Sequence, residues 1–382
     1  MVTILVLVTA LFGAASWYIS KQIEDGALAV DFSEAPYDVV VDSYADGWAT
    51  LHRIDGEIAN DPLRSSKMWG LEWDGGNGVL EGSPEVGSDA SVRRALLLIA
   101  GSPPAPGTPC VLQRDAWLDP ANAYGISFQE VTYPSRGGAC PAWYVPGNSS
   151  TWIVMVHGLN ASRTESLRAL GPAHRAGLPA LIISYRNDPG APADPSGRHQ
   201  YGATEWYDLE QAIGYATAHG ATRVVLFGAS MGGAVVASFL EHSPSASVVS
   251  GVVLDAPMLD LRETVDFGVA QSETPGLGIA PPQVLVTSAE LLVGARYDLD
   301  WEQVDYLDDG WLHVPALVFH GTTDHRVPLS TSEALEAAHP ELVDLVRVPA
   351  AAHVESWNVD PVAYQAREAA FLTRVTANPT IG

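Results

Sequence analysis

The chain has 382 residues, 47% hydrophobic and 17% charged, which is enough apolar material for a sizeable core and excludes a disordered chain. Twenty Lys and Arg stand against 45 Asp and Glu, and the net charge of −25 repels phosphate backbones and disfavours anionic lipid held by a basic patch, so nucleic acid is not an expected partner. The two cysteines, Cys110 and Cys140, make no CxxC pair, which excludes a disulfide-dense scaffold and a cysteine-based zinc cluster.

Val2 to Ser20 holds 19 residues without a charge and is closed by Lys21, with Trp17 and Tyr18 at the end where interfacial aromatics sit. It predicts an N-terminal membrane anchor (residues 1–21). A cleaved signal peptide is the rival reading, since Gly13-Ala14-Ala15 offers small residues, although no Lys or Arg precedes the apolar run. Charge bias across the segment is nearly silent. A large domain behind such an anchor is expected outside the cytoplasm, where Cys110 and Cys140 could pair. Almost all of the acidic charge lies beyond the segment, so a chain begun near Asp31 is expected to be soluble and active.

Residues 22 to about 120 are rich in Gly, Pro, Asp and Trp and carry short alternating pieces, such as Tyr37-Asp38-Val39-Val40-Val41. They predict a small β-rich region. Gly101 to Pro109, with four prolines and two glycines, reads as its junction with the C-terminal two thirds of the chain. From about Tyr124 the rhythm is βαβ. Strands are predicted at 126–133, 142–145, 152–156, 180–184, 224–227, 248–254, 316–319 and 342–348. Helices are predicted at 163–176, 204–218, 233–240, 331–338 and 362–376. This alternation implies an α/β fold with a mostly parallel sheet covered by helices on both faces. An irregular insertion, about 258–313, interrupts it.

Gly228-Ala229-Ser230-Met231-Gly232 lies between an apolar strand and an apolar helix, the context in which G-x-S-x-G presents a nucleophile. Ser230 needs a base and the base needs an orienting acid, both from loops at the same sheet edge. Asp324 follows the strand Ala316 to Phe319, and His353 follows the strand Leu342 to Val348. Asp255 is the alternative acid. His157 and His320 end strands and are expected to brace turns. An oxyanion would be met by the Met231 N–H and by Leu159 N–H in the loop His157-Gly158-Leu159-Asn160. There is no His-Glu-x-x-His, and no Gly-Lys-Ser/Thr follows the glycines, so neither metal nor phosphate-binding cofactor is expected.

Over roughly residues 124–376 these motifs resemble an α/β-hydrolase. Ser184-Tyr185-Arg186-Asn187-Asp188, Thr204 to Leu209 and His353-Val354-Glu355-Ser356-Trp357-Asn358 are similar, more narrowly, to actinobacterial membrane-anchored hydrolases related to the prolyl-oligopeptidase-like and ABHD-type branches. The resemblance implies a serine esterase or acyl hydrolase without cofactor, acting on a small acyl substrate, with the 258–313 insertion as a cap over Ser230. Peptidase, acyltransferase and a catalytically silent binding module are the alternatives. Oligomeric state and the role of residues 22–120 are left open.

Overall fold

A computed structural model describes residues 2–56, 58, 60–272, 280–307 and 310–377. The β-rich region is a closed antiparallel barrel of β1 (Val39–Ala45), β2 (Trp48–Arg53), β3 (Trp69–Trp73), β4 (Gly76–Val86), β5 (Val92–Gly101) and β6 (Pro109–Gln113), in the order β1-β2-β5-β4-β3-β6. Alternation along each strand sends one set of side chains inward. Val39, Val41, Ala49, Leu51 and Leu71 fill the interior, and closure leaves no free sheet edge. The stretch Gly101 to Pro109 is not the junction expected from sequence. It connects β5 to β6 within the barrel, and the chain leaves at Arg114. Proline and glycine mark a turn but do not tell which strands it joins.

The main sheet contains β7 (Gln129–Ser135), β8 (Gly138–Val145), β9 (Thr151–Val156), β10 (Ala180–Ile183), β11 (Arg223–Ala229), β12 (Val249–Asp255), β13 (Ala316–Gly321) and β14 (Val343–Val348). Their order is β14-β13-β12-β11-β9-β10-β8-β7. β9 to β14 run parallel, and β8 and β7 add antiparallel strands at one edge. The central strands are buried on both faces, which is why they are continuously apolar. In β9, Trp152, Val154 and Val156 join one core, and Ile153 and Met155 join the other.

The helices are α1 (Val2–Ile23), α2 (Pro120–Tyr124), α3 (Leu167–Arg175), α4 (Trp206–Ala218), α5 (Met231–His242), α6 (Leu261–Gln271), α7 (Gln283–Tyr297), α8 (Leu329–Ala338), α9 (Ser356–Val359) and α10 (Pro361–Ala377). α4, α5 and α8 cover one face of the sheet, and α3 and α10 the other. The insertion expected to be irregular contains α6 and α7. Val286, Ala289 and Val293 are buried at helical spacing and seat α7 on the body. Residues 273–279 and 308–309 of that insertion, and 378–382 at the C-terminus, lie outside the described residues.

The expected transmembrane helix takes a different form. Among the described residues, no helix is long and apolar enough to cross a membrane. α1 is 22 residues long, but its C-terminal end belongs to the domain. Ile19, Ile23 and Leu28 are buried in the main core, and Glu24, 2% exposed, pairs with Arg198 at 2.5 Å and Arg296 at 3.0 Å. Burial alone would raise the Glu24 carboxyl, but hydrogen bonds from Tyr297, Arg198 and Lys21 hold it at about 2. The side chains of Val6, Leu7, Leu11 and Phe12, nearer the N-terminus, are exposed. An apolar helix reads the same in sequence whether lipid or a protein core receives it.

Cys110 lies in the barrel core and Cys140 in the core of the main sheet, both as free thiols, so the pairing considered from sequence does not form. Burial pushes the thiols up, to about 12 and about 11 respectively.

Candidate active site

The turn from β11 into α5 is tight because no side chain fits at its flanks. A Cβ on Gly228 would lie 2.6 Å from the Gly232 carbonyl oxygen, and one on Gly232 would lie 2.3 Å from that of Val156. Ser230, between them, has φ +50° and ψ −120°, a conformation few L-residues adopt. The backbone on either side holds it there. Ser230 N–H donates to the Asp255 carbonyl at 3.0 Å, and the Ser230 carbonyl accepts from Met258 N–H at 3.0 Å.

His353 reaches Ser230 from the loop after β14. Its Nε2 is 2.8 Å from Ser230 Oγ, and its Nδ1 is 2.8 Å from Asp324 Oδ2. With the ring proton on Nδ1 and directed at the carboxylate, Nε2 is free to accept from the serine hydroxyl. Asp324 is 7% exposed, and its Oδ1 accepts N–H bonds from Arg326 and Val327 at 2.8 and 3.0 Å. Burial would lift this carboxyl. The His320 and His353 rings and the Arg326 N–H outweigh burial and hold it well below the usual carboxylate range. His320 is fully buried between Ser332 Oγ, the Val327 carbonyl and, at 3.5 Å, Asp324 Oδ2. Asp255, the alternative acid, makes no hydrogen bond to His353. Its Oδ2 accepts from Tyr364 at 3.2 Å, and its Oδ1 has no partner among the described residues.

Met231 opens α5, and the N-terminus of a helix offers backbone N–H groups that suit a developing anion. Leu159 sits in the loop after β9. That loop is fixed by His157, which bonds Asp188 at 2.8 Å and stacks on Tyr185, and by Gly158 N–H, which donates to buried Glu165 at 2.7 Å. The Gly158 N–H is thus committed, and Leu159 carries the next donor in the loop. A Cβ on Gly158 would meet Ser230 Cβ at 2.9 Å.

A cavity of about 280 Å³ opens beside Ser230 and His353. Leu159, Met258, Leu261 and Val265 line it, together with Ile19 and Ile23 of α1. Sequence reasoning missed Ile19 and Ile23 because nothing local marks a pocket wall more than 200 residues from the nucleophile (230 − 23 = 207). It also missed Glu165, which looks like any charge at a helix start. No group of three or more His, Cys, Asp or Glu side chains among the described residues is placed to hold a metal ion.

The profile of a family described as "Alpha/beta hydrolase family" matches residues 153–367. The chain belongs to the alpha/beta hydrolase family. An uncharacterized Mycobacterium tuberculosis protein is 27% identical to this alpha/beta hydrolase over 219 residues, which cover 55% of this chain and 66% of that protein. The chain therefore spans just under two thirds of that relative's length. The uncharacterized protein YfhR of Salmonella typhimurium is 24% identical over 251 residues, covering 60% of this chain and 76% of its own. Among solved structures, an esterase of Pyrococcus furiosus superposes with a TM-score of 0.54 at 19% identity, covering 68% of this chain and 94% of its own. At that identity the likeness is one of fold.

Proposed function

We propose that this alpha/beta hydrolase cleaves a carboxylic ester through an acyl-enzyme. Ser230 Oγ attacks the carbonyl carbon while His353 Nε2 takes its proton. Asp324 stabilises the imidazolium, and the N–H groups of Met231 and Leu159 receive the oxyanion. The alcohol leaves with the proton from His353. Water, deprotonated by the same ring, then releases the acid. The observation that carries this reading is the unbroken chain Ser230–His353–Asp324, with both contacts at 2.8 Å, at the floor of an apolar cavity. A cavity of about 280 Å³ is at the small end of ligand pockets, roughly 300–1,000 Å³. It suits one short to medium apolar acyl chain. Thioester, amide and transfer to an alcohol are variants of the same acyl-enzyme. A silent binding module would have no need of a complete triad. Kinship with the actinobacterial branch is part of this reading, supported by the M. tuberculosis relative.

The test is labelling of the wild-type protein by a fluorophosphonate, combined with hydrolysis of p-nitrophenyl esters of increasing chain length. Labelling with a preference for short to medium chains is expected. Absence of both labelling and turnover of every ester tried would overturn the reading.

We also propose that the exposed apolar side chains of α1 sit at a lipid surface, with the catalytic domain outside the cytoplasm. The same helix ends in the pocket wall, so the truncation expected from sequence to be harmless has a different expected outcome. Removing residues before Asp31 strips Ile19, Ile23 and Leu28 from the core and leaves Arg198 and Arg296 without Glu24. It also removes the Ala29 carbonyl that Asn160 Nδ2 bonds at 2.9 Å, beside Leu159. Such a chain is expected to aggregate or to lose ester hydrolysis. A soluble truncated protein with full turnover would show α1 to be dispensable to the site.

A further inference from the structure

The β-barrel and the hydrolase domain meet at the loop that carries His353. That loop is strained. Ala350 has φ +62° and Val354 has φ +54°, and the second is a β-branched residue in the left-handed region. Such a backbone persists only where its surroundings over-determine it. The surroundings come from two neighbouring points of the barrel, the start of β3 and the exit of β6, which pair through Gly70 and Gln113.

From the β3 side, Met68 N–H donates to the Asn358 carbonyl at 2.8 Å, and Asn358 Nδ2 returns a bond to the Met68 carbonyl at 2.8 Å. Lys67 Nζ pairs with Glu355 Oε2, which also accepts from Ala352 N–H at 3.2 Å. From the β6 side, Arg114 Nη1 donates to the His353 carbonyl itself at 3.3 Å, and the Arg114 carbonyl accepts from Asn358 Nδ2 at 2.9 Å. Arg114 Nη2 pairs with Glu165, the buried carboxylate whose other oxygen accepts Gly158 N–H at 2.7 Å. Asp115 pairs at 3.0 Å with buried Arg168, which donates through Nη1 to the Val354 carbonyl. One guanidinium from the barrel therefore touches the backbone of the base and, through Glu165, the loop that presents Leu159.

We infer that the barrel is a positioning element for the catalytic centre, and that Arg114 is the residue through which it sets the His353 loop against the oxyanion loop. This rests on the ester-hydrolase reading above. Arg114 meets neither substrate nor reacting atoms, so its loss acts on the alignment of His353 with Ser230 rather than on the cavity. Misalignment of reacting groups costs rate far more than binding. A barrel serving only as a packing neighbour would give no such division.

The experiment uses the full chain and compares wild type with Arg114→Gln, Arg114→Lys, Lys67→Met and, as control, Arg93→Ala on the exposed side of the barrel. It reads the fluorophosphonate labelling rate, and kcat and KM for a short p-nitrophenyl ester. Arg114→Gln is expected to lower labelling and kcat by about tenfold or more with KM within about twofold. Arg114→Lys, which keeps a cation beside Glu165, should recover part of that loss, and Arg93→Ala should match wild type. A folded Arg114→Gln variant with wild-type labelling and kcat overturns the inference. So does a variant in which KM rises while kcat holds. Should Arg114→Gln fail to fold, Lys67→Met decides: a kcat about threefold lower at unchanged KM supports the positioning role, and unchanged kcat overturns it. Wild type that is itself inert to the probe is a different failure, that of the hydrolase reading.

Discussion

Replacing Ser230 with alanine is expected to abolish fluorophosphonate labelling and to lower kcat by several orders of magnitude, up to about 10⁶-fold, as removal of a triad serine does. The expectation rests on the role of Oγ in this site. Its hydrogen bond is to His353 Nε2, and it faces the cavity rather than the core. Alanine therefore removes the nucleophile without opening a void. The strain of the turn is unaffected, because Ser230 holds φ +50° through its backbone bonds to Asp255 and Met258, which alanine keeps. The melting temperature should stay close to that of wild type. Residual turnover of about 10³–10⁴ over water would remain from the oxyanion donors and substrate binding. Labelling retained in the Ser230→Ala protein would place the nucleophile elsewhere.

What the sequence disclosed, and what it hid, divides along local and non-local lines. The strands β9 to β13 are legible because burial on both faces leaves runs that are almost wholly apolar, and the elbow is legible because only glycine tolerates its close approaches. The order of Ser230, Asp324 and His353 places each at the carboxyl end of a strand, and those strands, β11, β13 and β14, lie in one sheet with only β12 between β11 and β13. Barrel closure was hidden because β3 and β6 pair across a gap in sequence that no local pattern reports. α6 and α7 were hidden by the Gly- and Pro-containing stretch between them, which made the whole insertion look irregular. Glu24 and Arg296, paired across 272 positions, and Arg114 and Glu165, paired across 51, carry no local mark that sets them apart from ordinary surface charges. Their burial is a tertiary fact. The C-terminal end of α1, with Ile19, falls within the segment assigned to lipid for the same reason: an apolar run states that side chains are buried, not what buries them.

The two candidate acids separate in both rate and stability. Asp324→Asn is expected to lower kcat by roughly 10²–10⁴-fold, as loss of the orienting carboxylate does. The amide can keep the Arg326 and Val327 N–H bonds through its oxygen, so the loop survives. Its NH₂ would then face His353 Nδ1 and favour the tautomer that carries the proton on Nε2, where it cannot accept from Ser230. Stability should move with it. The depressed carboxyl of Asp324 contributes stability that is fully present above the ordinary carboxyl value of about 3.9 and is lost as pH falls through the lower folded value. At neutral pH the asparagine variant should therefore melt lower than wild type, and it should lose less on acidification. Asp255 carries the opposite sign. Burial raises its carboxyl, with Arg168 and Tyr364 only partly opposing, so its ionised form is disfavoured in the fold. That penalty is absent below the ordinary carboxyl value and grows as pH rises toward the raised folded one. Asp255→Asn should thus leave kcat within about threefold and melt at or above wild type at neutral pH, because the amide oxygen can still accept from Tyr364. Rates and melting curves across pH measure both variants. A severe loss in Asp255→Asn beside a mild one in Asp324→Asn would transfer the role of the acid to Asp255, and with it the contact that orients His353.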